Sequence, residues 1–400
     1  MYNCAAMINI NAELKLPCGA ALKNRIVKSA MSEALCGDAN NPGDAYINLY
    51  ARWGKSGAAV LIIGNTPVDR RHLEHAKNFV LDEQTDMARV TEIAAAAKSG
   101  GAKILAQLSH AGRQTPESVN PHPVSVSDLP LALPGYGKPQ AADEKEMQNI
   151  IGKFARSAAL AEEAGFDGVE IHAAHGYLLS SALSPKINTR TDRWGGNLEN
   201  RARLALSVIR AARAATGGGF IIAVKLNSSD FQKGGFSGED SVAAARLLEK
   251  EGVDFVEISG GNFEAPVSYQ HTPKKTSIAR EAYFLEYARD VKAALNIPVM
   301  VTGGFRSAAA MNDAIAGGGA DLIGMGRPFI MSPEFPKKLL QGEIESAPAE
   351  ERNFPPADSL PRGAVLNWFC HQLKLLAENN AADLSLPVLE GHRRYLEDMQ

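Results

Sequence analysis

Two histidines and a tyrosine within six positions, His172, His175 and Tyr177, are the side chains of this sequence best suited to do chemistry together. A pair of imidazoles can donate two hydrogen bonds to one oxygen, and a phenol can give up a proton beside the same spot. They lie in Asp167-Gly-Val-Glu-Ile-His-Ala-Ala-His-Gly-Tyr177, where Gly168 to His172 reads as a short buried strand that breaks into a small-residue turn. Strand alternation puts Glu170 and His172 on one side and Val169 and Ile171 on the other. Either histidine alone could fill a polar niche in a core. Together with Tyr177, just past a strand, they point to a site. A metal held by His172, His175 and Glu170 is the weaker reading, because Glu170 points further down the strand.

Such a strand end has to be positioned by a larger frame, and the rest of the chain supplies one. An arm over residues 9–24, with a turn at Pro17, Cys18 and Gly19, feeds a first strand Arg25–Ala30. Further strands are expected at Ala58–Gly64, Lys103–Leu108, Gly168–His172, Phe220–Leu226, Phe255–Ser259, Pro298–Thr302 and Leu322–Met325. Helices are expected between and after them at Ile47–Lys55, Thr85–Ser99, Glu144–Ala164, Leu198–Thr216, Gly238–Glu251, Arg280–Leu295, Ala308–Ala316 and Glu334–Leu340. Eight strands, each with a helix after it, predict an α/β fold, a parallel (β/α)8 TIM barrel with right-handed crossovers; a doubly wound open sheet is the alternative. The barrel with its N-terminal arm is expected over residues 1–341. Residues 342–400 read as a linker and helical tail, with a helix near Gly363–Glu378, packed on the barrel or on a neighbouring subunit of a homo-oligomer and not forming an independent domain. A Pro/Gly-rich loop over Gln114–Gly137 is expected to cover or line the site.

Barrel chemistry sits where strands end. Strand one delivers Ser29, Ala30 and Met31; strand two Asn65; strand three Gln107; strand five Lys225, which shares a side with Ala223 and Asn227 and should face inward. A cation inside a barrel needs an anionic partner: Glu170, or a bound cofactor. Strands seven and eight give Thr302-Gly-Gly-Phe-Arg306 and Ile323-Gly-Met-Gly-Arg327. Paired there, the glycines let backbone N–H groups approach a phosphate and Arg327 adds charge-assisted bonds. A phosphate-bearing cofactor with Asn65 and Gln107 along one edge and Lys225 opposite fits the pyrimidine ring of a flavin, whose N1 and O2 Lys225 would face.

Bulk properties narrow the class. The 400 residues are 45% hydrophobic and 22% charged with net charge -3, and no basic block tracks a phosphate backbone, so nucleic acid is not expected as a partner. No apolar run is long enough for a membrane span and the start has no secretory leader, so a cytoplasmic location is expected. Cys4, Cys18, Cys36 and Cys370 are scattered without a Cys-x-x-Cys pair, which fits reduced thiols and argues against zinc or iron-sulfur sites.

Several long motifs in order resemble the old yellow enzyme family of FMN-dependent NAD(P)H oxidoreductases. They are Leu22-Lys-Asn-Arg-Ile-Val27, Ala106-Gln-Leu-Ser-His-Ala-Gly-Arg113, Gly168 to Leu178, Arg190-Thr-Asp-Arg-Trp-Gly-Gly-Asn-Leu-Glu-Asn-Arg201 and Gly324-Met-Gly-Arg-Pro-Phe329. The resemblance runs from about Leu22 to Phe329. It implies non-covalent FMN contacted by Ser29, Ala30, Met31, Asn65, Gln107, Lys225, Gly303, Gly304, Gly326 and Arg327. It also implies a ping-pong cycle in which NAD(P)H reduces FMN, His172 and His175 bind the carbonyl oxygen of an enone, and Tyr177 protonates its α-carbon. The loop carrying Arg190, Asp192, Arg193 and Glu199 reads as structural. Three departures from the family pattern stand out: Ser32 where some relatives have a redox-tuning cysteine, unless Cys36 reaches in; Ala34 where an aromatic residue often lines the pocket; and Lys225 where many have arginine. Larger relatives that reduce dienoyl thioesters carry a cysteine cluster and dinucleotide domains after the barrel. This chain ends at Gln400 without them, so that branch is not expected. The rival enzyme class is a Schiff-base aldolase using Lys225; a flavin-binding protein without enone turnover is the non-enzymatic one.

Overall fold

The computed structural model describes residues 8–37, 39–265, 281–356 and 359–398; Cys4 and the expected helix start at Arg280 lie outside them. Eight parallel strands close on themselves: β1 (Ile26–Lys28), β2 (Val60–Pro67), β3 (Lys103–Ser109), β4 (Gly168–Ala173), β5 (Ile221–Asn227), β6 (Phe255–Ser259), β7 (Val299–Thr302) and β8 (Leu322–Met325). Closure comes from β8 pairing with β1, Ile323 opposite Ile26 and Met325 opposite Lys28, which excludes the open sheet. The helices that follow the strands are α1 (Asp44–Gly54), α2 (Met87–Lys98), α3 (Glu144–Glu163), α4 (Leu178–Leu183), α5 (Leu198–Ala215), α6 (Gly238–Lys250), α7 (Leu285–Ala294), α8 (Ala308–Ala316), α9 (Arg327–Met331) and α10 (Phe335–Leu340). Two more, α11 (Ala364–Ala377) and α12 (Val388–Asp398), form the tail.

Alternation along each strand builds two apolar layers. Ile104, Ala106, Val169, Ile171, Ile222, Val224, Val256 and Ile258 face the helices, whereas Val27, Val60, Ile62, Leu105, Ile221, Ala223, Phe255, Met300 and Leu322 fill the barrel. The arm closes the lower end of that interior. Leu14–Lys15 pairs antiparallel with Ala21–Leu22 across a turn at Gly19, and Leu16 and Leu22 are buried against the inner layer. Each of those two side chains contributes about 1.5–3 kcal/mol by leaving water.

Strand entry is fixed by a repeated device. After α3, α6 and α8, a glycine with positive φ (Gly165, Gly252, Gly318) ends the helix, and an aspartate follows just before the next strand. Asp167 accepts the Ile104 N–H, Asp254 the Ile222 N–H and Asp321 the Val299 N–H, at 3.0, 2.8 and 2.8 Å. Each carboxylate therefore ties the foot of an even strand to the odd strand before it, and each is paired with a cation, Lys103, Arg213 or Lys292. Helix starts are capped in the ordinary way, as where Asp143 accepts the Glu146 N–H ahead of α3, worth about 1 kcal/mol.

Candidate active site

The turn after β4 is held by many contacts. His175 has φ 62° and Gly176 φ 81°, so two successive residues are left-handed, and the first is not a glycine. Asn227 Oδ1 accepts the His175 N–H at 3.1 Å, Gln114 Nε2 donates to the His175 carbonyl at 3.1 Å, and Ser180 Oγ accepts the Gly176 N–H at 3.1 Å. A side chain at Gly176 would run into Gln114. The conformation turns His175 back over the barrel mouth, where its Nε2 meets Ser259 Oγ of β6 at 2.8 Å.

His172, His175 and Tyr177 are thereby gathered. The His172 ring lies edge-on to His175 at 5.1 Å between centroids and to Tyr177 at 4.8 Å, and Tyr177 in turn touches Phe263 at 5.8 Å. His172 Nδ1 accepts the Ala174 N–H at 3.3 Å, which leaves the proton of a neutral ring on Nε2. Burial, aided by each other and by Lys225, drives the His172 pKa well below its ordinary value; burial and then Lys225 bring His175 down to about 3. Both rings are neutral at physiological pH.

Below them the register collects the charged interior. Lys225 lies opposite His172 on one side and Glu257 on the other, and Gln107 lies opposite Glu170. The direct side-chain partner of Lys225 is Glu257, 2.7 Å away, and not Glu170, which the sequence offered beside a bound cofactor. Glu170 instead accepts from Gln107 Nε2 at 2.6 Å. Glu257 was missed, although a carboxylate between Val256 and Ile258 shares its side of the strand with Phe255 and Ser259, and that alternation is the signal that could have found it. Asn65 sits at the end of β2 with its Oδ1 accepting from Ser109 Oγ.

The remaining expected residues line the β7, β8 and β1 ends. Gly303 and Gly304 have φ 129° and 88°, and a Cβ on Gly304 would come 2.9 Å from the Ala282 nitrogen. Gly324 admits no side chain beside Thr302, and a Cβ on Gly326 would come 3.2 Å from Met31 Sδ. Ser29 Oγ bonds Thr302 Oγ1 at 2.8 Å, and Ala30 packs on Gly64. Arg327 opens α9, and its guanidinium lies 5.9 Å from the Phe369 centroid of α11; burial lowers its pKa most, while Glu351 opposes that and Arg306 adds to it. Arg306 is itself buried against Glu351.

Two of the three departures, and the cysteine that could stand in for the missing one, have their own surroundings. Ser32 donates to Glu74 at 2.9 Å, Ala34 holds a positive φ of 50°, and Cys36 is buried against Tyr46, with burial foremost in pushing its thiol up to about 12. Cys36 thus packs into the outer core. The Arg190 loop is a scaffold: Arg190 donates to the Val126 and Ala142 carbonyls, and Arg193 and Trp194 both bind Glu144 at the start of α3.

Among the described residues, the group that brings three potential metal ligands together is Asp69, His72 and His110, with ligand atoms within 4.8 Å of one another, and not His172, His175 and Glu170. Its hydrogen bonds argue for a latch and against an ion. His72 Nε2 accepts the Val124 N–H at 2.9 Å and His110 Nδ1 accepts the Gly112 N–H at 3.1 Å, so the other nitrogen of each neutral ring carries a proton and offers no lone pair. Asp69 is already bound by Lys153 at 2.6 Å and Arg71 at 2.8 Å.

The donor set of the barrel mouth, an ammonium and two amides with a glycine-lined edge and Arg327 beyond, matches the polar edge and phosphate of a flavin mononucleotide. The model of the NADH:flavin oxidoreductase / NADH oxidase family matches residues 16–345. The NADH-dependent flavin oxidoreductase nadA of Aspergillus parasiticus (strain ATCC 56775 / NRRL 5862 / SRRC 143 / SU-1) is 38% identical over 341 residues, 81% of this chain and 76% of that protein. The NADH-dependent flavin oxidoreductase iliE of Neonectria sp. (strain DH2) is 35% identical over 361 residues, 83% of this chain, but the match spans about half, 47%, of that protein's own length. Among solved structures, a morphinone reductase mutant in complex with tetrahydroNAD superposes with a TM-score of 0.70 at 22% identity, covering 85% of this chain and 93% of that one, a likeness of fold.

Proposed function

This chain belongs to the NADH:flavin oxidoreductase / NADH oxidase family, and from that premise we propose that it is an FMN-dependent NAD(P)H oxidoreductase reducing the activated C=C bond of α,β-unsaturated carbonyl compounds. The observation that carries the reading is the convergence of His172, His175 and Tyr177 over Lys225 in one barrel mouth. In this proposal Gln107, Asn65 and Lys225 hold the ring edge of FMN, Ser29, Ala30 and Met31 pack beside it, and Gly303, Gly304, Gly326 and Arg327 receive its phosphate. Bound non-covalently, FMN would supply hydride chemistry between a nicotinamide and the β-carbon of the enone, in ping-pong order. Support for the nicotinamide comes from the NADH dependence in the names of both fungal relatives and from the tetrahydroNAD complex of morphinone reductase.

The chain's own residues then divide the work. His172 and His175, neutral because buried, donate hydrogen bonds to the carbonyl oxygen, whose negative charge grows in the transition state, but they hold no spare proton. Tyr177 has one, and in this reading it protonates the α-carbon. Phe263 and Tyr136, whose rings meet at 6.1 Å, give the substrate an aromatic wall. Scattered thiols, with Cys18, Cys36 and Cys370 unpaired, fit a cytoplasmic setting.

The Schiff-base alternative is disfavoured by Glu257. A lysine must lose its proton to attack a carbonyl, and burial, which alone would lower the Lys225 pKa, is outweighed by its acidic neighbours, Glu257 first and then Glu170, so that the value is raised. The test is an anaerobic absorbance spectrum before and after NADH or NADPH, followed by cyclohexenone. Bleaching by the nicotinamide and recovery with the enone is the expected result; a colourless protein that takes up no FMN would overturn the proposal.

A further inference from the structure

Three ionisable side chains come together in the barrel mouth. Lys225 Nζ lies 2.7 Å from Glu257 Oε1, and Glu170 and Thr302 are near enough to Glu257 to act on its charge. Glu170 completes the set by accepting from Gln107. Lys225, Glu170 and Glu257 are all buried. The other titratable groups bearing on them are His172 and His175 above, both neutral, and Lys28 of β1, which is paired with Glu33 at 3.1 Å.

Two bare carboxylates cannot share this interior with one ammonium, so the pair keeps a proton. Burial, and next the neighbouring Glu257, push Glu170 well up; burial acts the same way on Glu257, but Lys225 and the hydrogen bonds around it outweigh burial and bring it down. Glu170 is the neutral acid, Glu257 the carboxylate and Lys225 the ammonium. Their charges sum to zero.

We propose that Glu257 is a positioning residue that neutralises Lys225, so that Lys225 meets the cofactor as an oriented hydrogen-bond donor without net charge. The inference rests on the FMN reading above. An uncompensated cation at this position would favour the reduced, more negative cofactor; a compensated one leaves the potential lower. Glu257 thus sets the reduction potential without touching the substrate.

The experiment is a spectroelectrochemical titration of the flavin-loaded wild type, Glu257→Gln and Lys225→Met proteins, each first shown by its absorbance spectrum to hold FMN. Glu257→Gln unmasks the ammonium and is expected to favour reduced over oxidised cofactor at least tenfold, a rise of about 30 mV for a two-electron couple. Lys225→Met is expected to lower the potential by less than that, because Glu257 takes up a proton when the ammonium leaves. An unchanged or lower potential in Glu257→Gln, or a fall in Lys225→Met much beyond tenfold, overturns the proposal. Should either variant fail to fold, wild-type protein still decides: an infrared band of a buried carboxylic acid at neutral pH supports the shared proton, and its absence overturns it. A wild-type chain that binds no FMN sinks the functional reading instead.

Discussion

His172 and Lys225 are register partners on adjacent strands, so the imidazole proposed to meet the substrate and the ammonium proposed to meet the cofactor stand side by side on one rung of the barrel. Their separation is fixed by the ladder and not by the loops. Substitutions at the two positions should therefore be separable by half-reaction.

Tyr177→Phe keeps the ring that packs on His172 and Phe263 and removes only the hydroxyl. Enone reduction is expected to slow by about 10²–10⁴-fold, the usual worth of a positioned proton donor. Flavin reduction by NADH should stay within about twofold. Stopped-flow measurement of the two half-reactions separately checks this, and equal losses in both would remove Tyr177 from the proton-donor role.

Arg327→Lys preserves charge but not the fork that binds two phosphate oxygens. Affinity for FMN, read from quenching of flavin fluorescence, is expected to fall by about tenfold, and by more in Arg327→Ala. Unaltered binding in both would move the phosphate away from the β8 end.

Stability should carry the mark of the buried histidines. Burial, and then the neighbouring His72, drive the His110 pKa far below its ordinary value of 6.5. The unfolded chain therefore binds a proton that the folded one refuses, and stability is complete above pH 6.5 and lost as pH falls below it. Relative to His110→Gln, the wild type should lose up to about 1.4 kcal/mol per pH unit over that acid window. Urea unfolding at pH 7.5 and 5.5 gives the number; a constant difference between the two proteins would contradict it.

Asp254→Ala tests the strand-foot device. The change strips partners from the Ile222 N–H, the Cys18 N–H and the Arg213 guanidinium at once. Asp254 is buried but Arg213 is partly exposed, so the loss is expected near the lower end for a broken buried pair, about 3 kcal/mol. A urea midpoint within experimental error of the wild type would show that register is held elsewhere.

Much of the fold was legible because periodicity and punctuation agreed. Phe255–Ser259, Leu322–Met325 and Ala308–Ala316 fall where the sequence put them, since glycine, proline or a capping serine bounds each. The first strand was read too long at both ends: it spans Ile26–Lys28, and the Ser29 N–H makes a last bond to the Met325 carbonyl before the backbone turns to line the mouth. Helices α4, α9 and α12 were missed; the first two are five or six residues long and exist only because buried packing holds them. In the site, the strand-end residues could be named from alternation alone. Their partners could not, because which of two inward glutamates reaches Lys225 is a matter of register between strands more than thirty residues apart, and that is set by closure of the whole barrel.

Leu16 and Leu22 stopper the lower end of the barrel, and Asp254 pins their hairpin in place through the Cys18 N–H. The molecule is in this respect a flask and not a pipe. With that foot sealed and the interior filled by Val60, Ile62, Leu105, Phe255 and Met300, small molecules meet the strand ends at the mouth, and a change at the hairpin would loosen the core without touching the groups gathered there.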